Sequence, residues 1–269
     1  MIKLEERRAS IQPIKSKLKI SILDDGDIKK MNQTALNILE ELGVVFPSEK
    51  ALKIFADAGA NVDFDKKLVK IPSHLVVDYL KKAPRRYTLA GRRPELCAKI
   101  GEGNGTYFYS SGEAPKIVDF ETGQRRPSIL SDVANMAKIV DYFPIVSLMW
   151  PTVSARDKGE TAPIHGVEAC FNNTEKHVQT ESVMDEISAK YTIEMASAIA
   201  SGRDKLKERP VCSLLLCGIA PWDRMSIVDT KAFMLLLTHC SISGHMPPAI
   251  NSPVRPVISA GYRRFQYTP

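Results

Sequence analysis

A chain of 269 residues, 44% hydrophobic and 25% charged, has ordinary globular composition and length for one large domain or two smaller ones. The net charge of +6 sits at the ends: the first twenty residues carry six bases against two acids, the last seventeen three bases and no acid, and the remainder sums to −1. A nucleic-acid surface gathers its bases on a folded face, so no nucleic-acid partner is expected, and the flanks read as solubilising tails.

Five cysteines (Cys97, Cys170, Cys212, Cys217 and Cys240) with no CxxC pair point to reduced thiols rather than a disulfide framework. Residues 1–21 are polar and lack the apolar core of a signal peptide. No stretch, including the apolar 211–220, approaches the roughly 18 residues of a membrane helix. A soluble, cytoplasmic protein without membrane contact is the expectation.

From Asp27 the spacing of Ile28, Met31, Ala35, Ile38, Leu39 and Leu42 predicts a helix stopped by Gly43. Ser48 opens a second helix that ends before Gly59, short strands follow at 61–63 and 68–71, and Ser73 opens a third helix that ends before Pro84. Gly101, Gly103, Gly105 and Gly112 punctuate a segment holding Tyr107, Phe108 and Tyr109, and residues 116–120 and 124–126 flank a hairpin loop at 121–123. The glycine spacing does not match a GxGxxG dinucleotide fingerprint.

From Ser131 strands and helices alternate. A helix with Val133, Met136, Ala137, Ile139 and Val140 on one side precedes an apolar strand at 145–150. Further strands are expected at 176–181, 211–217 and 242–246, separated by helices at about 163–173, 184–201 and 226–240. Such alternation argues for parallel βα units. An eight-unit (β/α) barrel takes about 250 residues, and the 139 from Ser131 onward make about half of one. An open doubly wound sheet is the competing architecture.

Three stretches, NILEELGVVFPSEKALKIFADAGANVD from Asn37, KIPSHLVVDYLKKAPRRYTLAGR from Lys70 and GEAPKIVDFETGQRRPSILSDVANMAKIVDYFP from Gly112, resemble trimethylamine–corrinoid methyltransferases. FNNTEKHVQT and ERPVCSLLLCGIAPW follow in the same order. The resemblance spans about residues 27–240 and includes family members without pyrrolysine that use quaternary amines. It implies α/β architecture with a partial TIM-type barrel and a methylated amine such as trimethylamine or glycine betaine as methyl donor. The acceptor would be a corrinoid (cobalamin) carried by a separate partner protein, with none bound directly. A homo-oligomer is compatible with the reading.

The expected division is a basic extension over 1–26, an α-rich region over 27–100, a glycine-rich and hairpin segment over 101–130, the partial barrel over 131–246 and an atypical tail over 247–269. The forty residues after Asp229 contain no acid and many prolines, which reads as a disordered tail or as a frame-shifted end of a truncated barrel. A non-catalytic amine- or partner-binding fragment, or a remnant of a broken gene, is the alternative function.

A quaternary ammonium has no N–H to donate, so aromatic faces and carboxylates must hold it. Side chains at the C-terminal ends of barrel strands face the active site, which selects Trp150, Glu181 and Cys217, with His245 on the fourth strand and Tyr107 and Tyr109 over the mouth. Each has a structural alternative: core packing for Trp150, an ion pair for Glu181, a small buried hydrophobe for Cys217, a satisfied histidine for His245 and bracing of the hairpin for the tyrosines. No motif marks a catalytic residue. HExxH, CxxC, HxH and GxSxG are all absent, so neither zinc nor a serine nucleophile is expected.

Overall fold

The computed structural model of the chain describes residues 8–18, 20–180 and 185–214. These fall into two compact units, one of residues 17–84 and one of residues 8–16 and 85–214.

In the smaller unit, α1 (Asp25–Asn37) starts where the Asp24 carboxylate accepts the Asp27 N–H at 2.8 Å. Asp25 and Asp27 in its first turn complement the positive helix end. The helix widens into a π-helical turn, Ile38–Leu42, and stops at Gly43, whose φ of +81° suits glycine. A Cβ there would meet the Val69 carbonyl oxygen at 2.6 Å. Strand β1 (Val44–Val45), α2 (Glu49–Asp57), β2 (Asn61–Asp63), β3 (Leu68–Lys70) and α3 (Ser73–Lys82) follow, the strands forming an antiparallel sheet in the order β1-β3-β2. Ser48 caps α2 through its hydroxyl. Pro72 precedes α3 and has no side-chain acceptor, so Glu40 does that work: its carboxylate accepts both the N–H and the hydroxyl of Ser73, and those bonds hold its pKa below the ordinary range. Leu36, Leu52 and Val69 form the buried centre.

The larger unit opens with an antiparallel pair, β4 (Tyr87–Leu89) and β5 (Ala98–Ile100), which the sequence pattern does not announce. Then come β6 (Phe108–Tyr109), the hairpin β7 (Lys116–Val118) and β8 (Arg125–Pro127), α4 (Leu130–Tyr142), β9 (Val146–Met149), α5 (Ala162–Asn173), β10 (His177–Thr180), α6 (Glu186–Ala200), α7 (Arg203–Glu208) and β11 (Cys212–Leu214). Strands β6, β9, β10 and β11 form one sheet, and each pairs parallel with the strand before it. The first parallel strand is thus drawn from the glycine-rich segment, ahead of the alternating region. Met149, Val178 and Cys212 stand beside one another on one sheet face, and Leu148 and His177 on the other. Helix α5 packs on α4 and on α6, burying Val133, Ala137, Val167, Cys170 and Ile193. This is a mixed α/β fold with a parallel sheet, and the described strands do not close into a barrel.

The N-terminal ends of the strands are sealed. Ala90 N–H donates to the Pro210 carbonyl at 3.3 Å and Arg92 N–H to the Glu175 carbonyl at 2.8 Å, so the β4–β5 connection lies against the residues that lead into β11 and β10. His177 is fully buried there, with Nδ1 at 3.0 Å from the Ala90 carbonyl and Nε2 at 2.8 Å from the Ser213 hydroxyl. Burial pushes its pKa down to about 4, against the bonds to backbone that favour the charged ring. Lys176 is 2% exposed, and its ammonium donates to the carbonyls of Val140 (2.6 Å), Phe143 (2.9 Å) and Val146 (2.7 Å). Burial lowers its pKa to about 8 and nearby Asp141 opposes the shift, so it stays charged at neutral pH. With this end closed, the opposite end of the sheet is where function can be sought.

Candidate functional site

Tyr109 ends β6, and Trp150 follows the last residue of the neighbouring β9. Their rings stack with centroids 5.5 Å apart at 27°. Ser110 ties the two strand ends together: its hydroxyl donates to the Trp150 carbonyl at 2.7 Å and accepts the Trp150 N–H at 2.8 Å. The Trp150 indole nitrogen is buried and has no hydrogen-bond partner among the described residues. A buried N–H normally finds one.

Two of the sequence-selected residues are therefore brought together, and a third is not. The Tyr107 hydroxyl accepts the Lys99 N–H at 3.3 Å, which makes Tyr107 a brace for β5. Tyr107 lies just before β6, whereas Tyr109 ends it. Glu181, Cys217 and His245 lie outside the described residues.

Beyond the aromatic pair, the loops after β6 and β9 are stitched to each other by Ala114 N–H to the Thr152 carbonyl (2.9 Å) and Ser154 N–H to the Ala114 carbonyl (3.1 Å). Fully buried Ser128 donates its hydroxyl to the Ser154 carbonyl at 2.6 Å. These loops, with the start of α5, enclose a cleft of about 420 Å³ lined by Glu113, Ser154, Arg156 and Glu160 among others. Sequence reasoning missed Ser110, Glu113, Arg156 and Glu160. Their one usable signal is position: Ser110 and Glu113 lie in the loop after β6, Arg156 and Glu160 in the helical turn between β9 and α5.

The β7–β8 hairpin leaves from the same end and is held to α4. The Arg126 guanidinium meets both carboxylate oxygens of Asp132, at 2.7 and 3.0 Å, and one of Asp119 at 3.0 Å. These bonds hold Asp119 down at about 2, lower Asp132 and raise Arg126. The hairpin tip presents Phe120 fully to solvent.

Among the described residues, no three His, Cys, Asp or Glu side chains converge as metal ligands. Burial, with a smaller contribution from Glu113, pushes the Cys170 thiol far up, so it is a poor nucleophile. No described helix is long and apolar enough to cross a membrane.

The family model for trimethylamine methyltransferase (MTTB) matches residues 3–249, a span that contains every element described above. The chain belongs to the trimethylamine methyltransferase family. Within this family it is similar to trimethylamine methyltransferase MttB of Desulfitobacterium hafniense (strain DSM 10664 / DCB-2), 36% identical over 213 residues that are 79% of this chain and 42% of the relative. It is also similar to glycine betaine methyltransferase of Desulfitobacterium hafniense (strain Y51), 29% identical over 76% of this chain and 42% of the relative. Trimethylamine methyltransferase MttB of Methanosarcina thermophila is 26% identical over 76% of this chain and 43% of its own length. The chain thus matches less than half the length of these trimethylamine methyltransferase family relatives.

Proposed function

We propose that this chain contributes the first part of a (β/α) barrel to a cytoplasmic methyltransferase that takes a methyl group from a methylated amine and delivers it to a corrinoid carried by a partner protein. The sequential order β6-β9-β10-β11 supports the barrel. A doubly wound sheet reverses its order at a switch point, and the described strands contain no reversal. The observation that carries the functional reading is the Tyr109–Trp150 stack at the C-terminal ends of adjacent parallel strands within the family-matched span.

A methylated ammonium lies well on an aromatic face, where each cation–π contact is worth about 0.5–2 kcal/mol. When the methyl group leaves, the carbon–nitrogen electron pair stays on nitrogen, and the reduced corrinoid supplies the pair that takes up the methyl group. The contribution of these residues is to hold the cation, keep water away and fix the direction of the departing methyl.

The test measures binding of glycine betaine and trimethylamine by calorimetry and methyl transfer to free reduced cobalamin by absorbance. Trp150→Leu should weaken binding roughly 2- to 30-fold, as expected for loss of a cation–π contact. Binding without turnover would favour the amine-binding alternative, and an unaffected Trp150→Leu variant would remove Trp150 from the site.

A further inference from the structure

One polar side chain in the parallel sheet stands uncommitted beside the aromatic pair. The register sets Val178 beside Met149 and Ser213 beside Gln179, so Trp150, Gln179 and Ser213 form a row across β9, β10 and β11. Strand alternation puts Gln179 on the same face as His177. Ser213 is on that face too, since its hydroxyl lies 2.8 Å from His177 Nε2. Tyr109 joins the row from β6, in register with Leu148 and stacked on Trp150. In the layer beneath, Leu148 and His177 are buried, whereas Trp150, Gln179 and Ser213 are half-buried. On the opposite face Met149, Val178 and Cys212 are all buried.

The Ser213 hydroxyl is already used. His177 Nδ1 faces the Ala90 carbonyl, which can only accept, so that nitrogen carries the ring proton and Nε2 takes the hydroxyl's hydrogen. Gln179 makes no side-chain hydrogen bond among the described residues, and an amide is unusual in a parallel strand, where apolar residues are the rule. The unpartnered Trp150 indole N–H is its neighbour in the row, and no bond joins the two.

From this arrangement we propose that Gln179 is a further binding residue of the amine site, its side-chain carbonyl facing the methylated ammonium held by Tyr109 and Trp150. This rests on the amine reading given above and deepens it. A quaternary ammonium spreads its charge over its methyl groups, and a carbonyl oxygen accepts their polarised C–H bonds. A neutral amide also suits the reaction better than a carboxylate. The ammonium becomes an uncharged amine nitrogen as the methyl group departs, so a full negative charge beside it would stabilise bound substrate more than transition state. Gln179 attracts the cation without that penalty.

The experiment is calorimetric titration of the full chain, at low salt, with choline and with 3,3-dimethyl-1-butanol, which has carbon in place of the ammonium nitrogen. Gln179→Leu should weaken choline about fivefold, the size of one such contact, and leave the alcohol unchanged or tighter. Gln179→Glu should tighten choline severalfold, and added salt should reduce the gain. A merely structural role for Gln179 would move both probes together. Unchanged circular dichroism would confirm that both variants fold. A choline-to-alcohol ratio untouched by Gln179→Leu, or no tightening of choline by Gln179→Glu, overturns the assignment of Gln179 while the amine reading stands on choline binding by the parent chain. Failure of the parent to bind choline overturns the two together.

Discussion

Replacing Lys176 by Met tests the closed end of the sheet. The side chain is 2% exposed and its three ammonium hydrogens are matched to three carbonyls. The Val140 carbonyl lies in the last turn of α4, where the next residue in line to donate, at position 144, is a proline without an N–H. Lys176 supplies the missing donor and, as a cation at a helix C-terminus, favours the dipole as well. Methionine keeps most of the stem and removes charge and donors. An unpaired buried carbonyl costs about 1–3 kcal/mol; Val140 loses its side-chain donor, whereas Phe143 keeps the Val146 N–H at 3.1 Å. Relief of the ammonium's desolvation offsets part of the loss, leaving about 1–2 kcal/mol net. At roughly 2–4 °C per kcal/mol for a unit of this size, Tm should fall by about 2–8 °C. Urea unfolding followed by far-ultraviolet circular dichroism should show a lower midpoint at unchanged slope. A Met variant as stable as the parent, or more so, would refute the reasoning and show that desolvation outweighs the three bonds.

Three further perturbations follow from the geometry. His177 has a native pKa of about 4 against 6.5 when unfolded, so the unfolded chain binds more protons between those values; stability should fall as pH drops from 6.5 to 4, by up to about 3 kcal/mol, and His177→Gln should flatten that part of the urea-midpoint profile. Arg126→Met should free the β7–β8 hairpin and speed chymotrypsin cleavage at the exposed Phe120 severalfold, and in the parent the Asp119 anchor should persist until pH falls from 3.8 through about 2. Gly43→Ala should destabilise the smaller unit by about 2 kcal/mol or more, measured by chemical denaturation, because it combines a positive φ with a 2.6 Å approach to the Val69 carbonyl.

The helices were legible where local chemistry defines their ends. Gly43 stops the first helix and Ser48 caps the second, each at a position that the sequence pattern selects, and the long helix ends at Ala200, next to the expected end at 201. The fourth helix starts at Leu130, one residue ahead of the alternation expected from Ser131: Asp132, held by Arg126, reaches back to accept the Ile129 N–H at 2.9 Å. No local rule discloses that, any more than it discloses Glu40 capping α3 from 33 residues away.

The aromatic pair shows how far the candidate site was legible. Trp150 could be selected because it ends an apolar strand and the C-terminal ends of parallel strands face the site. Tyr107 and Tyr109, two apart, should share a face in an extended chain, and sequence offers no reason to separate them. Strand β6 begins only at Phe108, so Tyr107 lies outside it and Tyr109 within it. One tyrosine is turned to the β5 backbone and the other to the indole. The same short strand, hidden among glycines, is the partner that places Tyr109 beside Trp150. Recognition of the site therefore depended on a pairing between residues nearly forty positions apart, which local pattern does not encode.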